Sequence, residues 1–288
     1  MNKIVKFLVI TFAISWSCFI LLAILNNTGV LSYVSGFPLI IIGAFGPGIA
    51  AITLQEKRNP KAIAQFIFSG KYKPFPYLLL FGALKAAILW FPVQELSPYG
   101  IPLFAFPFIL LVQTLFTGGQ EEIGWQGYLR PSLEKFMPFP VAVIVLGVIW
   151  AVWHLPLWFI AESPQENINF AFYVGMVLVM SFPLSVLHKK TQNIFYCCIL
   201  HGLFNTLSAF LAFGDQWQLI FSGEVINWGV ILGGIITIVI SLTMWQVNKQ
   251  KTHSYGGSDM KNNYKVQQAK QLQSKDCKKF YTNKEEII

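Results

Sequence analysis

The chain has 288 residues, of which 55% are hydrophobic, 16% aromatic and only 12% charged, with a formal net charge of +8. A soluble domain carries about 25% charged residues. Residues 248–288 hold nine lysines and four acids, which leaves 12 Lys/Arg and 9 Asp/Glu in the first 247 residues, too few to cover a water-soluble surface of that size. A disordered chain, a fibrous repeat and a soluble enzyme are excluded for this body. The composition predicts an all-α, polytopic membrane protein.

A membrane span needs about 20 predominantly apolar residues. In chain order, hydropathy predicts eight such stretches: 5–26, 37–54, 76–94, 101–120, 139–160, 169–187, 193–213 and 225–247. The first begins with Lys3 and Lys6 and then runs uncharged from Phe7 to Leu25, which exceeds the apolar core of a signal peptide. In the second, Gly43, Gly46 and Gly48 surround Pro47 and permit close helix packing. The third carries Lys85 in mid-span, most simply a snorkelling side chain. The fourth ends in Glu121-Glu122, with an amphipathic continuation to Arg130 and a break at Pro131. The fifth holds Trp150 and, one turn later, His154, with Pro156 ending or bending the helix just beyond. The seventh holds His201 and Asn205, which share one helical face at i, i+4. His188 and His253 stand beside lysines and read as surface residues. Cys18, Cys197, Cys198 and Cys277 suggest no disulfide framework.

Loop charges give an independent check. With a cytoplasmic N-terminus, 20 of the 21 Lys/Arg fall in inside segments and none in the outside loops, as the positive-inside rule requires. The expected organisation is an eight-helix domain over 1–247, with both termini cytoplasmic and a motif core at about 101–213. A flexible Lys-rich tail over 248–288 follows, whose charge faces anionic lipid rather than nucleic acid. The expected location is the bacterial plasma membrane; oligomeric state has no sequence signal.

An ionisable group within a span costs from about 2.5 kcal/mol upward, so it usually faces protein or a wet cavity. Each signal also has a plain structural reading: a helix end meeting water for Glu121-Glu122, a packed interior residue for His154, an interhelical hydrogen-bonding pair for His201 and Asn205. Together, two carboxylates, two imidazoles and an amide supply a base, an orienting group and oxyanion donors, a kit for water activation and acyl hydrolysis. Glutamate plus two histidines is also a candidate zinc set, although the H-E-x-x-H arrangement is absent. Counted from the predicted cytoplasmic ends, His154 and His201 lie deeper than Glu121, so a longer fourth helix, a later start of the fifth, or tilt must bring them level.

Three segments carry a family resemblance: Glu121-Glu122-Ile-Gly-Trp-Gln126, Trp150-Ala-Val-Trp-His154 and His201-Gly-Leu-Phe-Asn205. In order and spacing they resemble the E-E-x-x-x-R, F-x-x-x-H and H-x-x-x-N/D motifs of the CPBP intramembrane proteases, the CAAX-processing type II and bacteriocin self-protection (Abi) group. The resemblance implies that Glu121 activates the attacking water, His154 assists, His201 and Asn205 stabilise the oxyanion, and Glu122 holds the geometry. It implies a membrane-associated peptide or protein substrate; eukaryotic members cut prenylated CAAX tails. The family is often called metalloprotease, so Glu121, His154 and His201 are candidate ligands for zinc, but the expectation here is a glutamate-driven site that does not require metal. Trp150 replaces a Phe and preserves an aromatic wall. Gln126 replaces the Arg, and Lys85 is expected to supply the missing charge. Two other readings compete: a non-catalytic immunity or peptide-binding protein, which loss of the Arg favours, and a proton-coupled transporter, which broken-helix repeats in both halves would favour.

Overall fold

Helix follows helix along the chain, and no strand occurs among the described residues. The computed structural model describes residues 3–70, 73–93, 101–212 and 215–247, with side chains left out at 91–93. The predicted tail over 248–288, with His253, lies outside the described residues. The helices are α1 (Lys3–Asn27), α2 (Phe37–Ala44), α3 (Gly46–Thr53), α4 (Pro60–Phe68), α5 (Phe75–Val93), α6 (Phe106–Leu115), α7 (Glu122–Gly124), α8 (Arg130–Leu133), α9 (Phe139–Trp153), α10 (Phe170–Thr191), α11 (Ile194–Leu211) and α12 (Asp215–Ser222). A further helix, α13, spans Trp228–Val247. Residues Met1–Leu242 form one compact unit, and Thr243–Ile288 a second, described only at the end of α13.

Among the described residues, six segments are apolar and long enough to cross a bilayer: Lys3–Asn27, Leu103–Leu133, Phe139–Phe159, Phe170–Thr191, Ile194–Leu211 and Trp228–Val247. Phe37–Thr53 and Phe75–Trp90 are apolar but shorter. All eight stretches expected from hydropathy therefore form helix, six at full spanning length. The chain is a multi-pass integral membrane protein.

Lipid-facing and inward faces divide as membrane helix packing demands. Val9, Ile24, Phe108, Ile144 and Leu232 are exposed, while Thr11, Ser15, Ser181, Ser185 and Thr206 are buried. Without a hydrophobic drive between helices, small residues and interhelical hydrogen bonds take over. Ser15 Oγ donates to the Gly43 carbonyl at 2.7 Å. A Cβ at Gly43 would lie 2.3 Å from the Phe19 ring, and one at Gly46 only 2.1 Å from Ser15 Oγ. These glycines draw α2 and α3 onto α1, as expected from their spacing. Further along, α6 and α5 pack on α11, and α9 packs on α10.

The fourth span departs from its predicted end. It does not stop near residue 120 but continues to Leu133 through a 3-10 turn (Gly119–Glu121), α7, a π-helical turn (Trp125–Leu129) and α8. Pro131 does not break it. The proline falls in the first turn of α8, where its missing N–H is not needed. This extension places Glu121 and Glu122 in mid-segment and settles the depth mismatch by a longer fourth span. The surface assignment of His188 is also overturned. Arg130 is 2% exposed and His188, inside α10, is 8% exposed, because the two side chains pack against each other. At the fifth span, α9 ends at Trp153 and a 3-10 turn with Pro156 follows, as expected.

Candidate active site

The site begins where α6 gives way to tighter turns. Gly118 adopts φ 141, a conformation that suits only glycine. A Cβ there would come within 2.4 Å of Asn205 Nδ2 and 2.9 Å of His201 Nε2. The bare backbone lets the 117–121 turn press against α11 directly opposite His201 and Asn205. At the other side of the turn, a Cβ on Gly124 would meet the Pro47 backbone at 2.5 Å, so α7 is clamped between α3 and α11.

The two adjacent carboxylates serve different partners. Glu121 Oε2 accepts from Trp150 Nε1 at 2.8 Å and from Trp125 Nε1 at 3.3 Å. Its Oε1 carries no hydrogen bond among the described residues. Glu122 is fully buried, and its Oε1 meets His201 Nδ1 at 2.8 Å. His154 Nδ1 donates to the Trp150 carbonyl at 2.9 Å, and its ring packs edge-on to Trp153 with centroids 4.5 Å apart. The Trp150 and His201 rings lie 5.1 Å apart in an edge contact. Asn205 Nδ2 donates to the Thr117 carbonyl at 3.2 Å and Gln113 Oε1 at 3.3 Å. Both imidazoles thus spend Nδ1 on a protein partner and leave Nε2 as the remaining ring nitrogen.

Glu121, Trp150, His154, His201, Asn205 and Lys85 all line one cavity of about 950 Å³. Glu122 and Gln126 lie behind that wall. Gln126, 1% exposed, accepts through Oε1 from Arg130 Nε at 2.8 Å and from Ser185 Oγ at 3.2 Å. Arg130 also contacts Glu134 and His188, and Lys189 contacts Glu134. The cation beside Gln126 is therefore Arg130, one turn further on, and it interacts electrostatically with Glu122. Lys85, expected in that place, has no hydrogen bond or ion pair with Gln126 or Glu122; it stands across the cavity on α5. Arg130 wins because its side chain runs back along its own helix, as an i, i+4 neighbour can.

Several contributors escaped the sequence reading: Gly118, Trp125, Thr117, Gln113 and Arg130. The paired Gly118-Gly119 just before the acids and the Gln126/Arg130 spacing were the available signals. Trp125, four residues after Glu121, had the same i, i+4 spacing as its signal.

Residues 103–207 match the family described as Type II CAAX prenyl endopeptidase Rce1-like. A curated relative, CAAX prenyl protease 2 of Methanococcus maripaludis, is 31% identical over 123 residues, covering 40% of this chain and 44% of the relative. Residues 103–207 are thus similar to an Rce1-like CAAX endopeptidase domain. The chain spans less than half the length of the relative it matches. The matched region contains every predicted site residue except Lys85, from Glu121 on the fourth span to Asn205 on α11.

Among the described residues no three His, Cys, Asp or Glu side chains are placed to hold a metal ion. Glu121 Oε2 is engaged by two indole donors, which leaves Oε1 as the open oxygen of that carboxylate. No step below passes through a metal.

Proposed function

We propose that the chain is an intramembrane endopeptidase that hydrolyses a peptide bond of a membrane-associated substrate with a water activated by Glu121. The observation that carries this reading is the Glu121 carboxylate: one oxygen is anchored by two indoles, and the other is without a partner at a cavity shared with two imidazoles and an amide. Anchoring fixes the base, as general-base catalysis requires. Glu121 takes a proton from water while the water oxygen bonds to the scissile carbonyl carbon. The carbonyl oxygen becomes an oxyanion, stabilised by His201 Nε2–H, the imidazole being doubly protonated against the Glu122 carboxylate, and by an Asn205 N–H that turns to it from Gln113 Oε1. His154 assists at the same wall. Collapse of the intermediate breaks the C–N bond, and the proton held by Glu121 passes to the leaving amine. Glu122 holds His201 in orientation through Nδ1, the role a carboxylate plays behind a catalytic imidazole.

The substrate class follows the relative's name: a prenylated, CAAX-like protein tail or another lipid-anchored peptide, drawn from the bacterial plasma membrane with both protein termini cytoplasmic. Wild type and Glu121→Ala are compared on a lipidated peptide library in vesicles, with products read by mass spectrometry. Wild type is expected to release defined fragments and Glu121→Ala none. Combining Glu121→Ala with His201→Ala should cost little beyond either alone, since groups acting as a unit are non-additive. Equal product patterns from wild type and variant would favour the peptide-binding reading instead.

A further inference from the structure

Lys85 is a charge inside the membrane without a counter-ion. It lies ten residues into α5 and eight from its end, about 15 and 12 Å from the two helix ends at helical rise. Among the described residues it has neither hydrogen-bond nor ion-pair partner. It does not point to lipid. Phe81, Lys85 and Leu89 recur at i, i+4 and i+8 on one face, Phe81 and Leu89 are 1% and 4% exposed, and all three line the cavity. The opposite face, with Leu79 at 61% exposed, carries the lipid contact. An ammonium within a span costs from about 2.5 kcal/mol upward unless something pairs with it, and Arg130 already fills the position behind Gln126 that would have explained it. Gly82 lets Leu203 of α11 close on α5, which brings Lys85 within electrostatic reach of His201. The charge therefore faces the reacting end of the cavity.

We propose that Lys85 is the anion-recognition residue of this cavity, pairing with the free C-terminal carboxylate of the bound peptide. The proposal rests on the endopeptidase reading for its occupant. A carboxylate is the anion that every peptide brings without needing an acidic side chain, and Lys85 lines the same cavity as the hydrolytic groups. Pairing there would select chains by their terminus and fix which bond lies opposite Glu121.

Binding and cleavage separate the two claims. Full-length protein carrying Glu121→Gln is placed in phosphatidylcholine nanodiscs. It is titrated with a fluorescent S-alkylcysteine heptapeptide, either as the free acid or as the C-terminal amide. The acid is expected to bind about tenfold or more tightly than the amide, in line with a charged hydrogen bond. Adding Lys85→Met should erase that preference, and Lys85→Arg should restore most of it. Equal affinities for acid and amide, or no binding of either, would overturn the proposal. In nanodiscs containing phosphatidylglycerol, Lys85→Met changing only the lipid dependence would assign the site to a lipid phosphate and equally overturn it. With Glu121 intact, failure to cut any peptide while the acid preference persists would sink the endopeptidase reading and leave carboxylate recognition standing.

Discussion

Glu121 and Glu122 are neighbours in the chain, yet one is held by indoles and the other by an imidazole, and what surrounds each decides its use. Behind Glu122 the chain Gln126–Arg130–Glu134, with His188 and Lys189 from α10, forms a buried polar knot. Removing one partner of such a knot leaves uncompensated charge, which costs about 3–5 kcal/mol. Arg130→Met should therefore lower thermal stability in detergent by roughly that amount. Lys85→Met, which breaks no hydrogen bond or ion pair among the described residues, should shift stability by less than about 1 kcal/mol. The reverse ranking would restore Lys85 as the structural cation. Glu121 is bound by two N–H groups, and the nearby donors do not converge on a metal. Exhaustive dialysis of purified protein against a chelator should then leave activity unchanged. Activity lost on stripping and regained with stoichiometric zinc would refute the glutamate-driven site.

At the scale of elements, the decisive feature is the broken course of the fourth span. A regular helix from residue 103 to 133 would turn Glu121 and Glu122 about 100° apart along one continuous rod. The 3-10 turn, α7 and π turn instead open room for α3 and α11 to approach from two sides. Such π-helical turns recur at functional sites. Gly118 is where this course is most exposed to substitution. Gly118→Ala forces a left-handed residue, worth about 1–3 kcal/mol, and drives a methyl at Asn205 and His201. The expected outcome is lost activity together with a lower unfolding temperature. Gly48→Ala, whose Cβ would have its nearest neighbour at 3.6 Å, should leave the unfolding temperature unaltered. Equal unfolding temperatures for the two variants would show that the Gly118 conformation is not required.

For the whole molecule, the charge distribution predicts orientation. Reporter fusions after Lys73, Lys135 and Lys190 should all report cytoplasm, and one after Glu162 the opposite side, because positive residues cluster in the first set of segments. A single fusion on the wrong side would break the eight-span arrangement, in which Phe37–Thr53 and Phe75–Trp90 complete the count despite their shorter length.

Sequence alone determined the class of solvent, the helical stretches and the small set of polar residues that could do chemistry. Each of these rests on local quantities: scarcity of charge, length of apolar runs, and i, i+4 spacing on a single helix. His201 with Asn205, and Trp150 with His154, were legible for that reason. Tertiary structure decided how those residues pair. Glu121 meets Trp150 across 29 positions, Glu122 meets His201 across 79, and Arg130 meets His188 across 58. Such contacts depend on where the fourth span bends and how closely glycines let the helices approach. No periodicity within one segment encodes them. The same physics moved His188 from an expected surface into the interior beside Arg130 and turned Lys85 toward the cavity.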